Sequence, residues 1–137
     1  MIRLVVEGPP RTKKNHQQIR INRRTGKHFV AQADTASAWE EIAVLQLRTQ
    51  LHRAPLKSPF DGAVLLPYFT RPVNVRALVY RERAGRADLL NYLAAVSDAL
   101  EAAGVVANDE LVAGLDGSRM LIDRARPRVE ITLEPLG

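Results

Sequence analysis

The sequence predicts an α+β fold, a mixed or antiparallel sheet with two main helices packed on it. Three observations carry this. Apolar and polar residues alternate over residues 2–7, 73–80 and 129–134, the period of half-buried strands. Two other segments, about 34–53 and 88–103, carry apolar residues at helical spacing. Their order is strand, hairpin, helix, strand, helix, strand, strand.

Each element has a local cause. Ile2, Leu4 and Val6 alternate with Arg3 and Glu7 in the first strand, and Gly8-Pro9-Pro10 stops it. Gln17–Ile21 and His28–Val30 can pair across Asn22–Lys27, where Gly26 supplies a left-handed turn position. Asp34 or Thr35 can cap the first helix. Trp39, Ile42, Ala43, Leu45, Leu47 and Leu51 give that helix a broad apolar face, and Pro55 ends it. Four prolines make residues 55–72 a loop, with room for a short strand at Ala63–Leu66. Val73, Val75, Ala77 and Val79 mark the next strand, and Arg81–Gly85 a turn. The second helix buries Leu89, Leu93, Val96 and Leu100, and Gly104 stands where a helix-ending glycine belongs. Val112–Ile122 reads as a strand interrupted by the turn Leu115–Ser118, and Val129, Ile131 and Leu133 mark the last strand.

The 137 residues suit a single domain spanning 1–137. The absence of cysteine excludes disulfides, thiolate zinc sites and cysteine nucleophiles, and fits a reducing cytosol. No apolar stretch approaches the roughly 20 residues of a membrane span. The first residues reach Glu7 and two prolines too early for a signal peptide. A cytoplasmic protein is expected, with no membrane partner.

The positive charge is uneven. Residues 1–32 hold Arg3, Arg11, Lys13, Lys14, Arg20, Arg23, Arg24 and Lys27 against Glu7. Residues 71–86 hold Arg71, Arg76, Arg81, Arg83 and Arg86 against Glu82, whereas residues 87–137 carry more acids than bases. Two basic segments on one small chain point to a polyanion. The expected phosphate contacts are Lys13, Lys14, Asn15, Arg20, Arg23, Arg24, Lys27, Arg83 and Arg86. Trp39 lies on an apolar helix face and reads as core. The three histidines lack metal-ligand spacing, so no zinc site is expected.

Hydrolysis of a phosphodiester with a divalent cation needs carboxylates that converge. Asp88, Asn91 and Asp98 fall on the polar side of the second helix, and beyond Gly104 a strand returning beside that helix can bring Asp109 back to Asp88. The same residues also have structural readings. Asp88 can be an N-cap contributing about 1 kcal/mol, Asn108-Asp109 a turn, and Asp98 and Glu101 a solvated helix face.

At these residues the chain resembles the RusA-type Holliday-junction resolvases. The likeness rests on Arg86-Ala87-Asp88-Leu89-Leu90-Asn91, Asp98-Ala99-Leu100, Ala103-Gly104-Val105-Val106 and Asn108-Asp109, in that order. Gly8–Asn15, Trp39-Glu40-Glu41, Pro72–Val75 and Val79-Tyr80-Arg81 extend it over nearly the whole chain. The resemblance implies an α+β homodimer that binds four-way DNA junctions in recombination and repair, associated with the nucleoid when on DNA. It also implies cutting of two opposing strands with Mg²⁺, for which Mn²⁺ can substitute. It places Asp88 and Asp109 as metal-binding catalytic carboxylates, with Asn91 and Asp98 on motif positions. Two departures from the pattern matter most: Leu90 stands where the family has a second aspartate, and Ala94 where it has a lysine; Asn108, in place of the first of the paired aspartates, is a milder change. Two alternatives therefore accompany the endonuclease reading. One is a junction-binding protein with impaired or absent cleavage; the other is a basic adaptor that binds a protein partner through Trp39 and the proline-rich loop.

Overall fold

A computed structural model describes residues 1–12, 17–21, 28–32, 34–53 and 66–136, with backbone alone at 17–21, 28–32 and 34–37. Lys13, Lys14, Asn15, Arg23, Arg24 and Lys27 lie outside the described residues, as does the side chain of Arg20. So do Pro55 and, apart from Leu66, the short strand expected at Ala63–Leu66.

The elements are β1 (Ile2–Glu7), β2 (Gln17–Ile21), β3 (His28–Gln32), α1 (Asp34–Leu51), β4 (Val73–Arg81), α2 (Leu89–Ala102), β5 (Val112–Gly114), β6 (Arg119–Ile122) and β7 (Arg128–Pro135). A 3₁₀ turn, Asp109–Leu111, precedes β5. Among the described residues β1, β7 and β4 form an antiparallel core sheet in that order. Beyond β4 lie β5 and β6, both parallel to it. The sheet is therefore mixed, as the α+β reading allowed. The hairpin is also present: β2 and β3 pair antiparallel, Ile19 opposite Val30, as a separate two-stranded sheet.

Alternation decides what each strand buries. Leu4 and Val6, then Val73, Val75, Ala77 and Val79, then Val129, Ile131 and Leu133 all face the core. Helices α1 and α2 cover that face with Trp39, Ala43, Leu47 and Leu51, and with Leu93, Val96, Ala99 and Leu100. Truncating a fully buried residue such as Leu47 to alanine costs about 2–5 kcal/mol. The apolar face of α1 is narrower than expected. The every-fourth-residue row from Trp39 to Leu51 is buried, but Ile42 and Leu45 are exposed, because a 3.6-residue period turns them off the contact row. Trp39 is core, though its indole N–H has no acceptor among the described residues.

Helix α1 also closes the free edge of β1. Gln50 Oε1 accepts from Val5 N at 2.7 Å while its Nε2 donates to Val5 O at 2.6 Å. One turn earlier Gln46 treats Glu7 in the same way, at 2.8 and 3.1 Å. Two side-chain amides thus take the place of a neighbouring strand, so the outer hydrogen-bonding groups of Val5 and Glu7 are not offered to another chain. At the far end of α1, Arg48 donates to the carbonyl of Ala102 at 3.1 Å, tying α1 to the last turn of α2.

The parallel edge is broken between β5 and β6, and side chains bridge the gap. Asn74 Oδ1 accepts from Asp116 N at 2.9 Å, and Asn74 Nδ2 donates to Asp116 O at 3.3 Å. Ser118 Oγ accepts from Ala77 N at 3.0 Å and donates to Val75 O at 3.3 Å. Gly114 makes room for this, since a Cβ there would approach Asn74 Oδ1 to 2.6 Å.

The face of the sheet away from the helices is polar. Arg128 bonds Asp123 and Glu130, both at 2.8 Å, and its guanidinium lies 3.8 Å from the centre of the Tyr80 ring. Arg3 adds a second contact to Glu130 at 2.9 Å, and Arg126 pairs with Glu7. The hydrogen bond from Arg128, with those from the Arg126 and Ala125 amides, holds the Asp123 carboxyl below the usual carboxylate range. Burial pushes the Glu130 carboxyl up, but the bonds from Arg128 and Arg3 outweigh it and leave the group lowered. No helix among the described residues is long and apolar enough to cross a membrane.

Candidate functional site

The chain leaves β4, turns through Glu82–Ala87 and starts α2 at Asp88. Asp88 is extended (φ −111°, ψ 119°), and its Oδ1 accepts the N–H of Leu90 at 2.9 Å. Its carbonyl accepts from Asn91 and Tyr92, so the residue begins the helix with both backbone and side chain. A carboxylate suits this position because the first N–H groups of a helix lack partners and their dipoles favour negative charge.

The other end of α2 sets where the chain goes next. Val105 N donates to Leu100 O at 2.9 Å and Gly104 N to Glu101 O at 3.0 Å, a Schellman ending with Gly104 at φ +78°. Only glycine takes that conformation without strain. The turn aims residues 104–107 along Tyr68 and Phe69, with Tyr68 N donating to Gly104 O at 2.9 Å and Phe69 N to Val105 O at 2.8 Å. Asn108 follows and caps the 3₁₀ turn, its Oδ1 accepting from Glu110 N at 3.0 Å. Asp109 is the first residue of that turn and is exposed. The returning segment is thus a 3₁₀ turn at Asp109, with strand structure beginning only at Val112.

This route opens a cleft of about 310 Å³ between α2 and the returning segment. Leu90, Ala94 and Asp98 line it from α2, with Asp109, Val112 and Leu115 opposite. The fold therefore brings Asp98 and Asp109 to one cleft, together with Leu90 and Ala94. Asp88 stands at the head of α2 and Asn91 is half-buried on it; neither lines the cleft. No cluster of three or more Asp, Glu or His side chains able to hold a metal exists among the described residues. Two carboxylates still suit a hard cation such as Mg²⁺, which keeps several waters and takes further oxygens from a substrate phosphate.

Arg83 and Arg86 lie elsewhere. They line a separate recess of about 360 Å³ with Arg11, Arg81, Glu82 and Tyr92. The sequence counts Arg11 and Arg81 in the basic segments but does not place them at a site. Arg11 belongs to the loop after β1 and Arg81 to the end of β4, and only the packed sheet makes them neighbours. Charge density was the available signal, and it carries no direction.

A family model described as Endodeoxyribonuclease RusA matches residues 7–134. No curated protein matches the chain. The matched stretch runs from the end of β1 almost to the end of β7 and includes every element that builds the cleft and the basic recess. The chain belongs to the RusA endodeoxyribonuclease family.

Proposed function

We propose that this protein is a divalent-metal-dependent, structure-selective endodeoxyribonuclease acting on four-way DNA junctions, with cutting carried out at the cleft beside α2. The observation that supports this most is the composition of the cleft. Two carboxylates, Asp98 and Asp109, share it with Leu90 and Ala94, the two positions where the family pattern carries an aspartate and a lysine. Motif positions separated in the chain thus meet at one place.

In this reading the site extends from the cleft to the head of α2: Asp109 in the cleft and Asp88, two residues before Leu90, would hold Mg²⁺ or Mn²⁺, Asp98 would take the proton of the attacking water, and Asn91 would orient the substrate beside Asp88. The cation, when bound, supplies charge neutralisation on the phosphodiester and lowers the pKa of water. Water attacks phosphorus directly as its proton passes to Asp98, a P–O bond forms, the bond to the leaving sugar oxygen breaks, and that oxygen takes a proton from solvent. Arg83 and Arg86, with Lys13, Lys14, Asn15, Arg20, Arg23, Arg24 and Lys27, hold the flanking backbone. Cutting two opposing strands requires two such sites related by symmetry, hence a homodimer.

Leu90 and Ala94 favour a second reading, in which the protein binds junctions and cuts them slowly or not at all. Leucine cannot bind a hard cation, and alanine cannot stabilise charge on the leaving oxygen. A synthetic four-way junction incubated with Mg²⁺ or Mn²⁺ decides between the two. Cleavage by the wild type, lost in Asp109→Asn, supports the enzyme. Binding without cleavage, with cutting restored by Leu90→Asp combined with Ala94→Lys, supports the second reading. Neither binding nor cleavage rejects both.

A further inference from the structure

The basic recess lies apart from the cleft. Tyr92 follows Leu90 by two residues, about 200° around α2, so the recess and the cleft flank opposite sides of the helix head. Arg11 and the arginines Arg81, Arg83 and Arg86 converge there from two chain segments. The one carboxylate among them, Glu82, is engaged by Arg11 at 2.8 Å. Among the described residues the other three guanidinium groups have no carboxylate in the recess. Arg11 is held further by the carbonyl of Pro10 at 2.9 Å, and Arg81 by the carbonyl of Gly85 at 3.1 Å. Arg81 Nε is buried with no acceptor among the described residues, so this cation is partly stripped of water. Like charges gathered around one partly buried cation repel one another unless an anion joins them.

We propose that the recess is a docking site for one backbone phosphate of the DNA, with Arg81 and Arg83 as its main ligands and Arg11 held in place by Glu82. Its volume exceeds that of a phosphate, leaving space for the attached sugar, against which Tyr92 packs. The site grips the strand on the flank of α2 away from the cleft. It therefore positions the duplex arm and does not touch the reacting phosphodiester. This assignment rests on the reading that the protein binds branched DNA.

The test is fluorescence anisotropy of a labelled four-way junction titrated with the full chain at several salt concentrations. Each phosphate contact contributes about 0.9 to the slope of log K against log salt. Arg83→Gln and Arg81→Gln are each expected to weaken binding about tenfold and, since they share one phosphate, to reduce that slope by about 0.9 only when combined. Arg124→Gln, exposed and outside the recess, is expected to stay within twofold. Arg83 is itself exposed, so Arg83→Gln keeps the fold, and a thermal melt checks this for Arg81→Gln. An unchanged affinity in the folded single variants and an unchanged slope in the folded double variant, with the wild type still binding, overturn the recess and leave the nuclease reading standing. The expected slope changes without cleavage would overturn the nuclease and leave the recess. Absence of DNA binding by the wild type rejects both.

Discussion

The carboxylate of Asp88 and the amide of Leu90 are bonded at 2.9 Å, so the residue assigned to a metal is also the N-cap of α2. The two roles separate by substitution. Asparagine keeps a carbonyl acceptor for Leu90 N, whereas alanine keeps none. Asp88→Asn is therefore expected to melt within a degree or two of the wild type and to lose metal-dependent cleavage. Asp88→Ala is expected to lose cleavage and about 1 kcal/mol of stability. Thermal melts beside a junction-cleavage assay measure both. Full cleavage by Asp88→Asn would remove Asp88 from the metal site.

The edge clamp of α1 on β1 predicts a change in association. Replacing Gln50 by alanine leaves Val5 N–H and C=O without their partner, at a cost of about 1–2 kcal/mol. Gln46→Ala combined with Gln50→Ala bares the outer groups of both Val5 and Glu7, and a bare edge recruits another strand. The double variant is expected to self-associate further with concentration in sedimentation experiments. A melt and a sedimentation profile identical to wild type would show that the amides do not protect the edge.

Gly114 and Asn74 are expected to be energetically coupled. A methyl group at Gly114 displaces Asn74 Oδ1 and breaks the bridge to Asp116, costing about 1–3 kcal/mol. Asn74→Ala removes the same bridge and also the clash. Adding Gly114→Ala to it is then expected to cost much less than on the wild-type background. Chemical denaturation of the four proteins in the cycle measures the coupling, and strictly additive losses would refute it.

Acid sensitivity should arise on the open face of the sheet. Asp123 and Glu130 are both lowered in the folded state, by Arg128 in each case, although burial opposes this at Glu130. A carboxyl with a lowered folded pKa stabilises the protein above its unfolded value, near pH 4, and loses that contribution as pH falls through the folded value. Thermal stability is expected to be flat from pH 7 to about 5 and to fall below about 4. Asp123→Asn keeps an acceptor for the Arg126 amide but carries no charge, and should shrink the acid limb. An acid limb as steep in Asp123→Asn as in wild type would place the titrating group elsewhere.

The structure bears out much of the fold expected from sequence, for a local reason. Alternation in Val73, Val75, Ala77 and Val79 has one reading, a strand with one buried face, and neighbouring residues suffice to show it. The same holds for the second helix, where Asp88 and Gly104 mark the two ends and the structure finds the cap and the Schellman turn there. Periodicity was a poorer guide at Ile42 and Leu45. Their polarity matches a core, but β1 presents an edge to α1, and the positions beside the buried row are filled by Gln46 and Gln50.

By itself the sequence determined the elements, their order, the two basic segments, and a family pattern with Leu90 and Ala94 standing out of it. Tertiary structure alone decided which charged groups meet. Asp98 and Asp109 share a cleft because the Schellman turn at Gly104 and the pairing of residues 104–107 with Tyr68 and Phe69 lead the chain back along α2. Arg11 joins Arg81, Arg83 and Arg86 because β7 pairs with both β1 and β4, bringing the loop after β1 toward the end of β4. Pattern along a chain records which side of an element is apolar. Convergence of charges depends on how elements distant in sequence are stacked, and hydrogen bonds and packing between them carry that information.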